Sequence, residues 1–250
     1  MQWVDRNKLQ TQFMAGTFLN LGSPTCVEIA ADSGFDWLLI DLEHGSGTEA
    51  HLRHMLLACR GSDAAPIVRI RSVDPDTVKF VMDSGAAGIM FPYVSTVEEA
   101  RQAVETIKYP PMGSRGVAGG IRATDFGRNW SGYFDEANDN SLVVVQIETP
   151  EAVDASADIA AIDGIDVLFV GPLDLSVNLG CPGDFSQPHF VEALKKVVAS
   201  CRDHDKTPGI LTKTGFEQQH KELGFRFTAL GSDLLAVAHA MTLNLETLQQ

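Results

Sequence analysis

The sequence predicts an α/β fold, a single (β/α)8 TIM barrel over residues 1–250, and three observations carry that prediction. Short apolar, β-branched runs recur along the whole chain, as strands buried on both faces require. Segments of helical spacing separate them, giving eight strand–helix alternations with no linker-like or low-complexity interruption. The length of 250 residues suits a barrel that does not split into domains. Alternation alone leaves a doubly wound open sheet as the alternative, because it does not show closure.

Taken in order, a short polar lead precedes a first strand at residues 16–21 (GTFLNL), and Ser23 and Pro24 then open a helix through Asp32 as cap and first-turn residue. The second strand is 35–41 (FDWLLID), followed by helical spacing over 48–60. Residues 66–71 (PIVRIR) form the third strand, and Asp74-Pro75 starts a helix that ends near Gly85. The fourth strand is 88–94, with a helix over 96–107. A long connection with Pro110-Pro111, Gly113 and Gly119-Gly120 follows, containing a short helix near 123–136, and its length suggests a lid or binding loop. Strand five at 142–148, a helix over 150–161 and strand six at 166–170 come next. A Gly- and Pro-rich loop at 171–188 leads to a helix through about His204. Strand seven at 207–211, a helix at 215–223, strand eight at 225–230 and a final helix from 232 to about Leu248 complete the chain.

Composition narrows the function. The net charge of −14, from 19 Lys and Arg against 33 Asp and Glu, excludes nucleic acid and anionic membranes as expected partners, since both need a basic field. An acidic substrate would have to be held by local arginines. Cys26, Cys59, Cys181 and Cys201 are scattered without a CxxC spacing, so they read as reduced thiols of a cytoplasmic protein, and any metal is oxygen-bound. The N-terminus lacks a signal-peptide pattern, and no run reaches the roughly twenty apolar residues that span a bilayer.

In a barrel, chemistry gathers where strands end. The runs LVVVQIET (142–149) and VLFVGPLDLS (167–176) each end in a carboxylate, Glu148 and Asp174. Two acids at the same end of neighbouring strands repel one another when buried, and a divalent cation between them is the cheapest remedy. The alternatives are a structural salt bridge for Glu148 and a turn cap for Asp174. Strand two ends in Asp41, Glu43 and His44. Asp41 reads as a helix cap, a buried arginine partner or a site residue; His44 reads as a general base or a loop histidine bonded to a carbonyl. Arg69 and Arg71 share one face of strand three, so at least one can point inward and fork a carboxylate. Gln146 precedes Glu148 on the same face. The segment MGSRGVAGGIR is not a Walker loop, and Arg115 and Arg122 within it are candidates for closing over an anion. Lys213, just past strand seven, is the lysine that a Schiff-base mechanism would have to use.

Together these residues resemble the HpcH/HpaI aldolases, metal-dependent class II pyruvate aldolases of the 4-hydroxy-2-oxoheptanedioate and 2-dehydro-3-deoxyglucarate aldolase type. The likeness is carried by GFDWLLIDLEHG (34–45), PIVRI (66–70), SRGV (114–117), VQIET (145–149), GPLDLS (171–176) and GIL (209–211). It implies a barrel of the phosphoenolpyruvate/pyruvate type that reversibly cleaves a 4-hydroxy-2-oxo acid to pyruvate and an aldehyde through a metal-stabilised enolate. By the resemblance, Glu148 and Asp174 are the metal ligands, for Mg²⁺, Mn²⁺ or Co²⁺. Gln146 and Arg69, the inward arginine, hold pyruvate, with Leu211 also on the substrate side. The amides after Gly171, around Leu173 and Asp174, cradle its carboxylate. His44 is the base, Asp83 orients it, and Asp41 lies near the aldehyde. Leu173 stands where relatives have a small or polar residue, predicting a narrower pocket, and 45–48 depart from the relatives' sequence. The resemblance also implies a trimer-based hexamer with the last helix packed on a neighbour. A CoA-ester lyase of the citrate lyase β or malyl-CoA type, and a non-catalytic 2-oxo-acid-binding barrel, are the rival readings.

Overall fold

In the computed structural model, which describes residues 2–247, the eight strands are β1 (Met14–Leu19), β2 (Trp37–Asp41), β3 (Ala65–Arg69), β4 (Gly88–Phe91), β5 (Leu142–Ile147), β6 (Val167–Val170), β7 (Thr207–Thr212) and β8 (Phe227–Ser232). Each pairs in parallel with the next, and β8 returns to β1, so the sheet closes as a barrel. The open-sheet alternative is thereby excluded.

The strands are buried throughout their middles because their two faces serve two cores. Leu38, Ile40, Val68, Ile89, Val143, Val145, Leu168 and Val170 face the helices. Trp37, Leu39, Ile67, Met90, Val144, Phe169 and Phe227 fill the barrel. Side chains alternate along a strand. Asp41 therefore continues the inward row of Trp37 and Leu39, Arg69 that of Ile67, and Gln146 and Glu148 that of Val144. The inward rows are apolar at the base and polar at the mouth, which is where the site must be. Trp37 and Phe227 stack with centroids 4.0 Å apart across the base.

The helices are α1 (Arg6–Thr11), α2 (Pro24–Asp32), α3 (Glu49–Ala58), α4 (Pro75–Asp83), α5 (Val97–Ile107), α6 (Trp130–Asn140), α7 (Pro150–Asp154), α8 (Ser156–Ala160), α9 (Pro172–Asn178), α10 (Pro188–Asp203), α11 (Glu217–Leu223) and α12 (Asp233–Glu246). Four differ from expectation. The short helix expected near 123–136 is a 3-10 turn at Arg122–Thr124 followed, after a break, by α6 at Trp130–Asn140. The polar lead contains α1, capped by the Asp5 side chain, and its Leu9 closes the base of the inner core. The helix expected over 150–161 is two short helices meeting at Ala155. The expected loop at 171–188 opens with α9, whose first residue is Pro172, because proline's fixed φ and missing N–H suit the first helical position. The final helix is described to Glu246; its expected end at Leu248 lies outside the described residues.

The helices α3, α4 and α5 each carry the chain from the mouth back to the base, so their C-termini stand at the base. That rule relocates the 110–122 connection. It follows the end of α5 and precedes α6 and β5, so it lies at the base and is not a lid. Arg122 donates there to the carbonyls of Ser84 (2.6 Å) and Leu56 (3.1 Å), after the end of α4 and within the last turn of α3. Arg115 is buried against the Tyr109 ring and donates to Asp83 (2.7 Å) and Tyr133 (3.1 Å). Neither is free to close over an anion at the mouth, which corrects that expectation.

His220 on α11 sits between Phe216 and Phe225 and meets the Thr212 hydroxyl through Nδ1. Burial pushes its imidazole down to about 4, against a weak upward pull from Glu217. The unfolded chain therefore binds this proton first on acidification, and the contribution is intact above the ordinary histidine range and lost as pH falls from about 6.5 towards 4. Thermal melts across that window should show a falling midpoint, and His220→Leu should flatten the slope; an unchanged slope in the variant would contradict the assignment.

Candidate active site

Asp41 closes β2 and is 1% exposed. It receives Arg69 in a two-pronged contact, Nε to Oδ1 at 2.9 Å and Nη2 to Oδ2 at 2.7 Å. Asn20 Nδ2 (2.6 Å) and the amides of Glu43 (3.0 Å) and His44 (3.3 Å) complete its shell. The register places Asp41 directly opposite Arg69 on the neighbouring strand, so the pairing follows from the barrel itself. Of the open readings for Asp41, the structure gives the buried arginine partner, and the same carboxylate ties down the loop that carries His44.

Arg69 points into the mouth over the Phe18 ring, while Arg71 is exposed outside. Its Nη1 reaches Glu43 Oε2 at 3.0 Å and Gln146 Oε1 at 3.4 Å. Gln146 in turn donates to Glu148 Oε1 at 2.9 Å. The backbone amide of Tyr93 donates to Glu148 Oε2 at 3.1 Å. An ordered polar row thus runs from β2 to β5: Asp41, Arg69, Gln146, Glu148.

Glu148 is 3% exposed. Burial pushes its carboxyl up to about 7, and the nearby charge of Asp174 pushes the same way, against the Tyr93 amide and Arg69. Asp174 lies in the first turn of α9, half-buried. Gly171, the residue before α9, has no room for a side chain: a Cβ there would come 2.0 Å from Glu148 Oε1. Its lack of a capping side chain leaves the first-turn amides of α9 facing the cavity.

These groups line a cavity of about 570 Å³ whose wall includes Asn20, His44, Arg69, Gln146, Glu148, Gly171, Leu173, Asp174, Leu211 and Lys213. His44 stands on the rim with its side chain 70% exposed, and its Nε2 lies 3.8 Å from Glu43 Oε2. Leu173 is also a rim residue, 52% exposed, and does not plug the mouth.

Asp83 is not part of this assembly. It ends α4 at the base of the barrel and pairs with Arg115. Within the chain it does not meet His44, the residue it was expected to orient. The acid beside His44 is Glu43, to which sequence reasoning gave no role. Its signal was present in the spacing of DLEHG. Burial pushes its carboxyl upward and Arg69 opposes the shift. Tyr93 was missed because it contributes a backbone amide, which no side-chain pattern announces.

Comparison with known proteins agrees with this geometry. The family described as HpcH/HpaI aldolase/citrate lyase matches residues 14–240. The chain belongs to that family. A 5-keto-4-deoxy-D-glucarate aldolase of Klebsiella pneumoniae is 38% identical over 224 residues, covering 89% of this chain and 87% of the relative. Among solved structures, an HpcH/HpaI aldolase/citrate lyase family protein from Burkholderia cenocepacia superposes with a TM-score of 0.93 at 33% identity, covering 98% of both chains. An HpcH/HpaI aldolase from Desulfitobacterium hafniense gives 0.92 at 31%, covering 99% of this chain and 97% of the other. With this HpcH/HpaI membership, the chain is a carbon–carbon lyase, an aldolase.

The Asp41–Arg69 pair supports a stability prediction for this family member. Arg69→Met leaves Asp41 buried without its cation, which costs about 3–5 kcal/mol. Urea denaturation should show that loss together with loss of activity; a cost below about 1 kcal/mol would contradict the buried-pair account.

Proposed function

We propose that this chain, as one barrel over its whole length, cleaves a 4-hydroxy-2-oxo acid reversibly to pyruvate and an aldehyde, with a divalent cation held by Glu148 and Asp174. The observation that carries the reading is the buried carboxylate whose ionisation burial and a second acid oppose. The donor set suits a hard cation: two carboxylates, with space in the cavity for substrate oxygens and water. Among the described residues no group of three or more His, Cys, Asp or Glu gathers into a protein-only cage. A two-carboxylate site accords with that, since Mg²⁺, Mn²⁺ or Co²⁺ takes its remaining oxygens from elsewhere.

When bound, the cation supplies Lewis acidity towards the carboxylate and keto oxygens of the substrate. The chain's own residues do the rest. The first-turn amides of α9, at Leu173 and Asp174, receive the substrate carboxylate. Gln146 and Arg69 hold the keto group, and the Arg69 charge favours the oxyanion that develops there. His44, on the rim, takes the proton of the C4 hydroxyl. The C3–C4 bond breaks, its electron pair forms the C2–C3 double bond of pyruvate enolate, and the aldehyde leaves. His44 then returns the proton to C3, giving pyruvate. Glu43, between Arg69 and His44, is placed to steady the imidazolium formed in between.

The wall of the cavity offers one lysine, Lys213, and one arginine, Arg69, which Asp41 and Glu43 already engage. That is a poor platform for the phosphates of a CoA ester and favours a free acid. The name of the Klebsiella relative, a keto-deoxy-glucarate aldolase, fits the same substrate class. The four cysteines are unpaired, in keeping with a cytoplasmic setting, and no described helix is long and apolar enough to cross a membrane.

The proposal extends to assembly. The helix α12 has no buried residue although Leu235, Met241, Leu243 and Leu245 are 51–68% exposed, a face that water does not favour. A neighbouring copy covering it, in a trimer-based hexamer, accounts for that face.

Two outcomes follow. Pyruvate release from 4-hydroxy-2-oxo acids should stop with EDTA and return with Mg²⁺, Mn²⁺ or Co²⁺, and Glu148→Ala and Asp174→Ala should lose metal and activity together; activity that survives chelation and is trapped by borohydride would transfer the chemistry to Lys213. In light scattering, Leu235→Glu with Met241→Glu should reduce the mass of the particle, and an unchanged mass would remove α12 from the interface.

A further inference from the structure

Tyr93 stands two residues past β4 with φ of 52°, in the left-handed region that a non-glycine residue adopts only at a cost. Its ring is half exposed, so burial of the side chain does not explain the strain. The backbone turn does have a result: it aims the Tyr93 amide at Glu148 Oε2, 3.1 Å away. The side chain then enters a second link. Asn178 Nδ2 donates both to the Tyr93 hydroxyl (3.1 Å) and to the backbone carbonyl of Glu148 (2.8 Å). Asn178 is the last residue of α9, and the first turn of that helix carries Asp174.

One amide group therefore ties the end of β4, the residue after β5 and the helix bearing the second acid. Glu148 is held at its carboxylate by Tyr93 and at its backbone by Asn178. We infer that Tyr93 and Asn178 are positioning residues that fix Glu148 and Asp174 relative to one another, so that the two carboxylates meet a divalent cation without moving. This rests on the metal reading above. Mutual repulsion would drive the buried Glu148 and the half-buried Asp174 apart in the absence of a cation, and the clamp resists that displacement before the cation arrives. Neither residue touches substrate in this account, and neither is in the wall of the cavity.

The test is Mn²⁺ binding, measured by calorimetry and by the electron paramagnetic resonance of free Mn²⁺, on the intact protein and three variants checked for unchanged circular dichroism. Asn178→Ala, which loses both links, and Tyr93→Val, whose β-branched side chain resists the left-handed turn, should each bind Mn²⁺ about 10-fold more weakly. Tyr93→Gly keeps the turn and the amide, and should stay within about 3-fold of the parent. Activity of the weakened variants should recover at saturating Mn²⁺, with the KM for the oxo acid unchanged. Parent-level affinity in both Asn178→Ala and Tyr93→Val would overturn the inference while leaving the metal reading intact. Equal weakening in Tyr93→Gly and Tyr93→Val would overturn the role of the backbone turn. A parent protein that binds no Mn²⁺ would overturn the metal reading and the clamp with it.

Discussion

Two carboxylates sharing one barrel mouth, Glu148 buried and Asp174 half-buried, are the constraint on which the rest of the site depends. Taking one acid out of water is costly, and a second acid nearby raises the cost, so burial and Asp174 together push the Glu148 carboxyl upward. The surroundings answer that constraint residue by residue. Gly171 gives up its side chain so that Glu148 fits, Gln146 and the Tyr93 amide each donate to one carboxylate oxygen, and the Arg69 charge lies along the same row. These contacts do not remove the repulsion, and that residue of unfavourable energy is what a divalent cation would relieve.

The barrel explains why these side chains meet. Strict alternation along each parallel strand sends every second residue inward, and the register of adjacent strands brings Asp41 level with Arg69. The lower layers use that geometry for packing, with Trp37, Phe169 and Phe227 filling the base. The upper layer uses it to gather polar side chains: Asp41, Arg69, Gln146 and Glu148. Arg69 is the hinge between the two halves of the mouth: its two-pronged contact with Asp41 stabilises the arginine in place, and its remaining nitrogen faces Glu43 and Gln146.

Much of this was legible in the chain. Parallel strands announce themselves as apolar runs, and acids at their ends, such as Glu148 and Asp174, stand out because nothing in a core explains them. What escaped was of three kinds. The helix α9 was hidden in a Gly- and Pro-rich stretch, where Pro172 reads equally as a loop residue or a first helical residue. Arg115 and Arg122 carried the right charges for a site, but the direction in which the helices run puts them at the base, where Arg115 pairs with Asp83 and Arg122 caps carbonyls. The Tyr93 amide and the Asn178 clamp depend on backbone angles and on a contact across 85 residues, and side-chain type encodes neither.

The most direct test of the central claim isolates the enolate from the aldehyde. Pyruvate alone, incubated with the protein in D₂O and followed by proton NMR, should lose its methyl signal when Mg²⁺ is present, because C3 exchanges through the enolate. The exchange should stop in EDTA and in Glu148→Ala. Exchange that continues at full rate in both would show that Glu148, Asp174 and a cation between them do not form the enolate.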